Sequence, residues 1–169
     1  MHAQRPDTGD RQDELLAEHG DAIGRACMAW LGELGGVDAA VEEVFVQALE
    51  GLAARTGARA PEAQGSTRAW LFGIAQRVCA RRLDAGVVNP LPLTDALADT
   101  QLPGGSALTR TRRALSMLPP TERDAVVLRF VAGLTVADVA EATRVDLRTA
   151  RERVGKGLTK MRARLAGGT

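Results

Sequence analysis

The chain has 169 residues, 45% of them hydrophobic, enough for one or two small domains each with a core of its own. Its net charge of +1 conceals a division: up to Gly86 there are 9 basic and 13 acidic residues, and beyond it 13 basic and 8 acidic, so a nucleic acid would meet the second half and a protein the first. Two cysteines exclude a disulfide framework, no window approaches the roughly 18 apolar residues of a membrane span, and the opening MHAQRPDTGDRQDE lacks the apolar core of a signal peptide, so a cytoplasmic protein is expected.

The first predicted helix covers Glu14–Leu34, with Leu15, Leu16, His19, Ala22, Ile23, Ala26, Cys27 and Trp30 on one stripe and Gly35-Gly36 as its stop. His19 is expected to be a half-buried member of that stripe rather than a ligand. A second helix, Asp38–Leu52, turns Val41, Val44, Phe45, Ala48, Leu49 and Leu52 inward and Glu42, Glu43, Gln47 and Glu50 outward, giving an acidic face. The loop Thr56–Gly65 leads to a third helix, Thr67–Leu83, in which Trp70, Leu71, Ile74, Ala75, Val78 and Cys79 pack inward while Arg68, Arg77, Arg81 and Arg82 project outward. Cys27 and Cys79 both fall on apolar faces, the place of free buried thiols.

Between Ala85 and Ser106 stand Gly86, Pro90, Pro92, Pro103, Gly104 and Gly105 without helical periodicity, the composition of a linker. The β-branched residues nowhere alternate for long and Tyr is absent. The predicted fold is therefore all-α, two small helical domains at 10–85 and 107–166 joined by a flexible linker at 86–106.

Leu118–Val154, LPPTERDAVVLRFVAGLTVADVAEATRVDLRTARERV, reads as a helix-turn-helix. Thr135 caps a helix starting at Val136, whose Val139, Ala140 and Thr143 share a face with Val136; the break comes at Arg144-Val145; and Asp146 caps the second helix. There Leu147, Ala150, Val154, Leu158, Met161 and Leu165 form the stripe expected to be buried. The opposite face shows Arg148, Thr149, Arg151, Arg153 and Lys156, and from Arg144 to Arg164 eight basic residues stand against Asp146 and Glu152, a local net charge of +6. A helix of this width fits the major groove, where arginine grips guanine bidentately and neutralises phosphates. A solvated amphipathic face is the bland alternative, but the arginines open the second helix of a tight pair, where a recognition helix needs them.

Three segments, VEEVFVQAL at Val41–Leu49, TRAWLFGIAQRV at Thr67–Val78 and ALSMLPPTERDAVVLRFVAGLTVADVA at Ala114–Ala140, stand in an order and spacing that resembles the extracytoplasmic-function (ECF) sigma factors of bacterial RNA polymerase. The resemblance covers most of the chain. It implies an alternative sigma factor that binds core RNA polymerase, reads the −10 promoter element with its first domain and the −35 element with its second, and directs transcription initiation. It further implies polymerase contacts through Val41, Glu42, Glu43, Phe45 and Gln47, −10 contacts through Arg68, Arg77, Arg81 and Arg82, −35 contacts through Arg148, Thr149, Arg151, Arg153 and Lys156, an anti-sigma partner, and residence at the nucleoid. The chain departs from the family's pattern at Ala39, Glu42, Arg77, Arg81, Arg144 and Gly155. Arg144 takes the turn position usually held by glycine, where a positive φ is costly for a residue with a Cβ.

Only Trp30, Phe45, Trp70, Phe72 and Phe130 are aromatic. A chain with so few stacking platforms is expected to melt DNA weakly and to depend on both promoter elements. Two other regulators fit parts of the sequence. One is a response regulator, whose α/β receiver would need buried strands that Asp7–Leu83 does not offer. The other is a degenerate sigma-like adapter that binds polymerase without starting transcription. An enzyme is not expected, nor a cofactor or metal: there is no Gly-rich phosphate loop or triad, and His2, His19, Cys27 and Cys79 match no ligand spacing.

Overall fold

A computed structural model describes residues 8–32, 36–57, 66–86 and 105–166. Its order is α1 (Thr8–Leu31), α2 (Val37–Gly57), α3 (Thr67–Asp84), α4 (Gly105–Ser116), α5 (Pro120–Val126), a π-helical turn (Val127–Val131), α6 (Val136–Thr143) and α7 (Leu147–Ala166). Every regular element among the described residues is helical, and none of these helices is long and apolar enough to cross a membrane.

In the front half α1, α2 and α3 pack on one another through Ile23, Ala26, Cys27, Val44, Ala48, Leu71, Phe72, Ala75 and Val78, all fully or nearly fully buried. Helix α1 stops earlier than its stripe predicts. Gly32 adopts φ 75° and its N–H closes on the Met28 carbonyl at 2.9 Å, a left-handed cap that ends the helix at Leu31. Gly36 follows with φ 63°; Leu34 and Gly35 lie outside the described residues, as do most of the expected 56–65 loop and residues 87–104 of the expected linker. Helix α2 runs on to Gly57, past the predicted end at Leu52. Leu16 departs from its predicted stripe and is 47% exposed, whereas His19 is buried more deeply than expected and lies 3.6 Å from Glu18.

The rear half opens with α4, whose first residues, Gly105 and Ser106, fall inside the span expected as linker. Pro120 starts α5 at a position where its missing N–H costs nothing. The helix then widens: Ala132 N–H reaches the Val127 carbonyl at 3.0 Å, and Gly133 leaves with φ 71°. This wide turn keeps Val127 and Leu128 in the core and turns Phe130 out, 54% exposed.

Helices α5, α6 and α7 close the helix-turn-helix. Gly157 of α7 sits so near α5 that a Cβ there would come 2.6 Å from Val126 Cγ2, and beside it Lys160 Nζ donates to Glu122 Oε1 at 2.7 Å. The predicted α7 stripe holds at its centre, with Ala150 and Met161 buried and Val154 and Leu158 half-buried, and fails at its ends, where Leu147 and Leu165 are exposed. The half-turns at either end of α7 extend past the helices that would cover them.

Candidate nucleic-acid interface

The helix pair is set by its caps. Thr135 and Asp138 form a reciprocal capping box: Asp138 N–H donates to Thr135 Oγ1 at 3.1 Å and Thr135 N–H to Asp138 Oδ2 at 3.0 Å. Hydrogen bonds from the Thr135 hydroxyl and N–H hold the Asp138 carboxyl below the ordinary aspartate range, against a smaller opposing effect of burial. Arg144 then takes the left-handed conformation, φ 55° and ψ 45°, as its position in the sequence implied. For a side chain with a Cβ this conformation costs about 1–2 kcal/mol. Asp146 caps α7 as predicted, accepting the Thr149 N–H on Oδ1 and the Thr149 hydroxyl on Oδ2, both at 2.8 Å.

That geometry sorts the five residues expected to meet the −35 element. Arg148 and Arg151 are exposed, and their side chains make no hydrogen bond or ion pair among the described residues. Lys156 is exposed and paired with Glu152 one turn before it. Thr149 is half-buried with its hydroxyl committed to the cap, and Arg153 is half-buried. Gly155 lies on the open face with nothing within 4 Å of a would-be Cβ. Unpaired guanidinium groups on the exposed first turns of a capped helix can reach base edges and phosphates together.

Helix α3 differs. Ser66 caps it, taking the Ala69 N–H at 2.9 Å, and three of its four outward arginines have partners. Arg68 donates to the Ala132 carbonyl and lies 5.9 Å over the Phe72 ring. Arg81 and Arg82 both donate to Glu43, each at 2.8 Å, and Arg82 adds the Ala39 carbonyl at 3.1 Å. Burial works to raise the Glu43 carboxyl, but the hydrogen bonds from Arg82 and Arg81 outweigh it and hold Glu43 below the ordinary glutamate range. Arg77, half-buried, has no such partner among the described residues; burial, then the nearby charges of Arg144 and Arg81, lower it.

The residues expected to meet polymerase are likewise divided. Glu42 is exposed, Glu43 is engaged by the two arginines and takes the Gln47 amide at 3.1 Å, Val41 is half-buried and Phe45 is buried. Val41, Glu42 and Phe45 line an open groove of about 1010 Å³ between α1, α2 and α4, to which Leu16, Met28 and Leu115 also contribute. Leu115 reaches it from the other half of the chain, which helical periodicity could not foretell. Of the aromatic residues, Trp30, Phe45 and Phe72 are core, Trp70 is half-buried and Phe130 exposed. Cys27 and Cys79 face one another in the α1–α3 core, the hydrogen bond between them pulling the Cys27 thiol down and pushing the Cys79 thiol up.

Residues 108–161 match the family model of sigma-70, region 4. Among curated proteins the chain is similar to the ECF RNA polymerase sigma factor SigK of Mycobacterium bovis and of Mycobacterium tuberculosis, each 27% identical over 119 residues that cover 64% of this chain and 63% of the relative. The chain thus matches these curated relatives over less than two thirds of their length. Two solved structures share its fold. CnrH, in complex with the cytosolic domain of CnrY, has a TM-score of 0.70 at 21% identity, covering 94% of this chain and 89% of that one. The sigma factor RpoE from Bartonella quintana, in complex with the anti-sigma factor NepR, has a TM-score of 0.66 at 19% identity, covering 95% and 99%. Residues 108–161 thus match a sigma-70 region 4 on the capped helix pair, and the helical fold of the described residues is that of these two solved structures.

Proposed function

We propose that this protein is an alternative sigma factor of the bacterial cytoplasm and nucleoid, one that binds core RNA polymerase and directs initiation at promoters it recognises by sequence. Residues 107–166 form the −35-reading domain and residues 10–85 the domain for polymerase and the −10 element, with 86–106 as the connection. Arg148, Arg151 and Lys156 contact bases or phosphates of the −35 duplex, while Thr149 and Arg153 position the backbone of α7 against it. Arg68, Arg77, Arg81 and Arg82 lie along the −10 strand once α3 is accessible, and Glu42, with Val41, Glu43 and Gln47, forms the polymerase-facing side of α2; Phe45, expected there too, is buried and supports that side from the core.

The observation that carries this reading is the pair of exposed, unpaired guanidinium groups, Arg148 and Arg151, directly after the Asp146 cap. Glu152 stands one turn after Arg148 and feels its charge, yet the cation it pairs with is Lys156, which leaves both guanidinium groups without an ion pair. The open groove beside Glu42 suits an amphipathic helix of an inhibitory protein, and the complexes in which CnrH and RpoE were solved support an anti-sigma partner. No reaction is assigned to the chain, since its role is to recruit the catalyst.

The test is transcription by core polymerase with this protein on genomic fragments, with start sites mapped. A shared pair of upstream elements is the expected result. Binding to polymerase without promoter-dependent transcripts would overturn the proposal in favour of a sigma-like adapter.

A further inference from the structure

We propose that Glu152 is a base-reading residue of α7: its carboxylate accepts from the N4 amino group of a cytosine in the −35 duplex, and the missing side chain at Gly155 brings that base within reach. This rests on α7 being the duplex-reading helix of the function given above.

Glu152 is the single acidic residue of α7, among seven basic ones. A carboxylate there opposes the attraction of phosphates, so its place on the helix decides what it can do. Ala150, Gly157 and Met161 are buried, and 3.6-residue periodicity puts Glu152 on the opposite side of the helix, at the crest of the exposed face. Arg148, one turn before it, and Gly155, three residues after it, share that crest, while Arg151 and Lys156 lie on either flank. A helix in the major groove turns its crest to the base edges and its flanks to the two phosphate strands. The flanking cations thus suit phosphates, and Glu152 suits a base.

A glutamate is shorter than the arginines around it and reads a base only where the backbone comes close to the groove floor. Gly155 supplies that clearance: nothing lies within 4 Å of where its Cβ would stand, and glycine lets a backbone approach a ligand closely. Alanine would fit there in the free chain and strengthen the helix, so packing gives no reason for glycine at this position.

In the free chain Lys156 donates to Glu152 across one turn, with the two side chains 59% and 54% accessible. So exposed a pair adds little to stability and exchanges readily, which lets Lys156 turn to a phosphate and release the carboxylate. Hydrogen bonding from Lys156 and its charge, with a smaller effect of Arg148, hold Glu152 below the ordinary glutamate range. It is therefore ionised at neutral pH and only accepts. On their major-groove edges guanine and thymine offer it acceptors, adenine an amino group beside an acceptor, and cytosine an amino group alone. Cytosine is the base it favours, and the paired guanine offers O6 and N7 to Arg148.

The experiment is selection from a pool of random-sequence duplexes by core polymerase carrying the wild-type full chain, Glu152→Gln, Glu152→Ala or Gly155→Leu, with the selected DNA sequenced. All three substitutions are at exposed positions, and thermal melting checks that each variant is folded. The wild type should select an upstream element in which one position holds cytosine with about tenfold preference. Glu152→Gln should shift that position alone to adenine, the base glutamine grips bidentately. Glu152→Ala and Gly155→Leu should erase the preference there and keep it elsewhere. An ion pair without a reading role gives another pattern: the freed Lys156 tightens binding to all duplexes alike and no base preference moves. That pattern, or a cytosine preference that survives any of the three substitutions, would overturn the proposal while the selected element still supports the function. A wild type that selects no upstream element would overturn both.

Discussion

Helices α3 and α7 both carry a row of arginines, and the sequence presents the two rows alike. In the folded chain they meet different fates. On α7 the first two guanidinium groups have no partner among the described residues; on α3 Arg68 is tied to the rear half and Arg81 and Arg82 to Glu43. The cause lies in the neighbours, since α7 faces solvent on the side away from α5 and α6, while α3 is packed against α1, α2 and α6. Cationic residues thus mark a ready contact surface only where no other element has already used them.

The comparison can be broken first at the two glycines of α7. Gly157→Leu should destabilise the rear half by about 1–3 kcal/mol through overpacking against Val126, read as a lower midpoint in thermal melting. Gly155→Ala, on the open face, should stabilise it by about 0.8–1 kcal/mol by removing glycine's backbone entropy. Equal effects of the two would show that α7 is not seated as described.

Thr135→Ala comes next. Loss of the capping box should cost about 1 kcal/mol in chemical denaturation and weaken duplex binding, because α6 sets the angle of α7. Single-strand binding should be unaffected.

Acidification sharpens the same contrast. Asp138 and Asp146 titrate below the ordinary aspartate value in the folded chain. Their contribution is therefore full above that value, near 3.9, and is lost as pH falls through the lower folded value. Amide hydrogen exchange of the first turns of α6 and α7 should accelerate in that acidic window and remain flat above about pH 5.

The smallest effect expected is from Glu43→Gln. The pair it breaks is partly exposed, with the Arg81 side chain 59% accessible, so the stability change should stay below about 1 kcal/mol. The freed Arg81 and Arg82 should tighten single-strand binding by a few-fold in an anisotropy titration; no change would mean that these arginines do not approach the strand.

Much of this was legible in the sequence because it is local. Cap residues act within four positions, so Thr135, the Arg144 bend and Asp146 could be placed from spacing alone, and the central stripes of α1, α3 and α7 follow from 3.6-residue periodicity. What spacing does not encode is which helix covers which end. Leu16, Leu147 and Leu165 satisfy the period yet stand exposed, and Gly157, outside every apolar pattern, is a closest-approach point. The Trp30–Asp124–Gln76 contact joins residues distant in the chain, and the π-helical turn at Val127–Val131 leaves no compositional mark. Gly32 ended α1 three residues before the glycine pair that looked the stronger stop, because it was the one in left-handed conformation at the helix end.

The most direct measurement is a footprint of the upstream promoter region by core polymerase carrying either the wild-type chain or Arg148→Ala/Arg151→Ala/Lys156→Ala. All three positions are exposed, so the variant should fold and bind polymerase normally. It should lose −35 protection, with affinity down by about 100-fold or more at roughly 1–3 kcal/mol per contact. Unchanged protection would contradict the account.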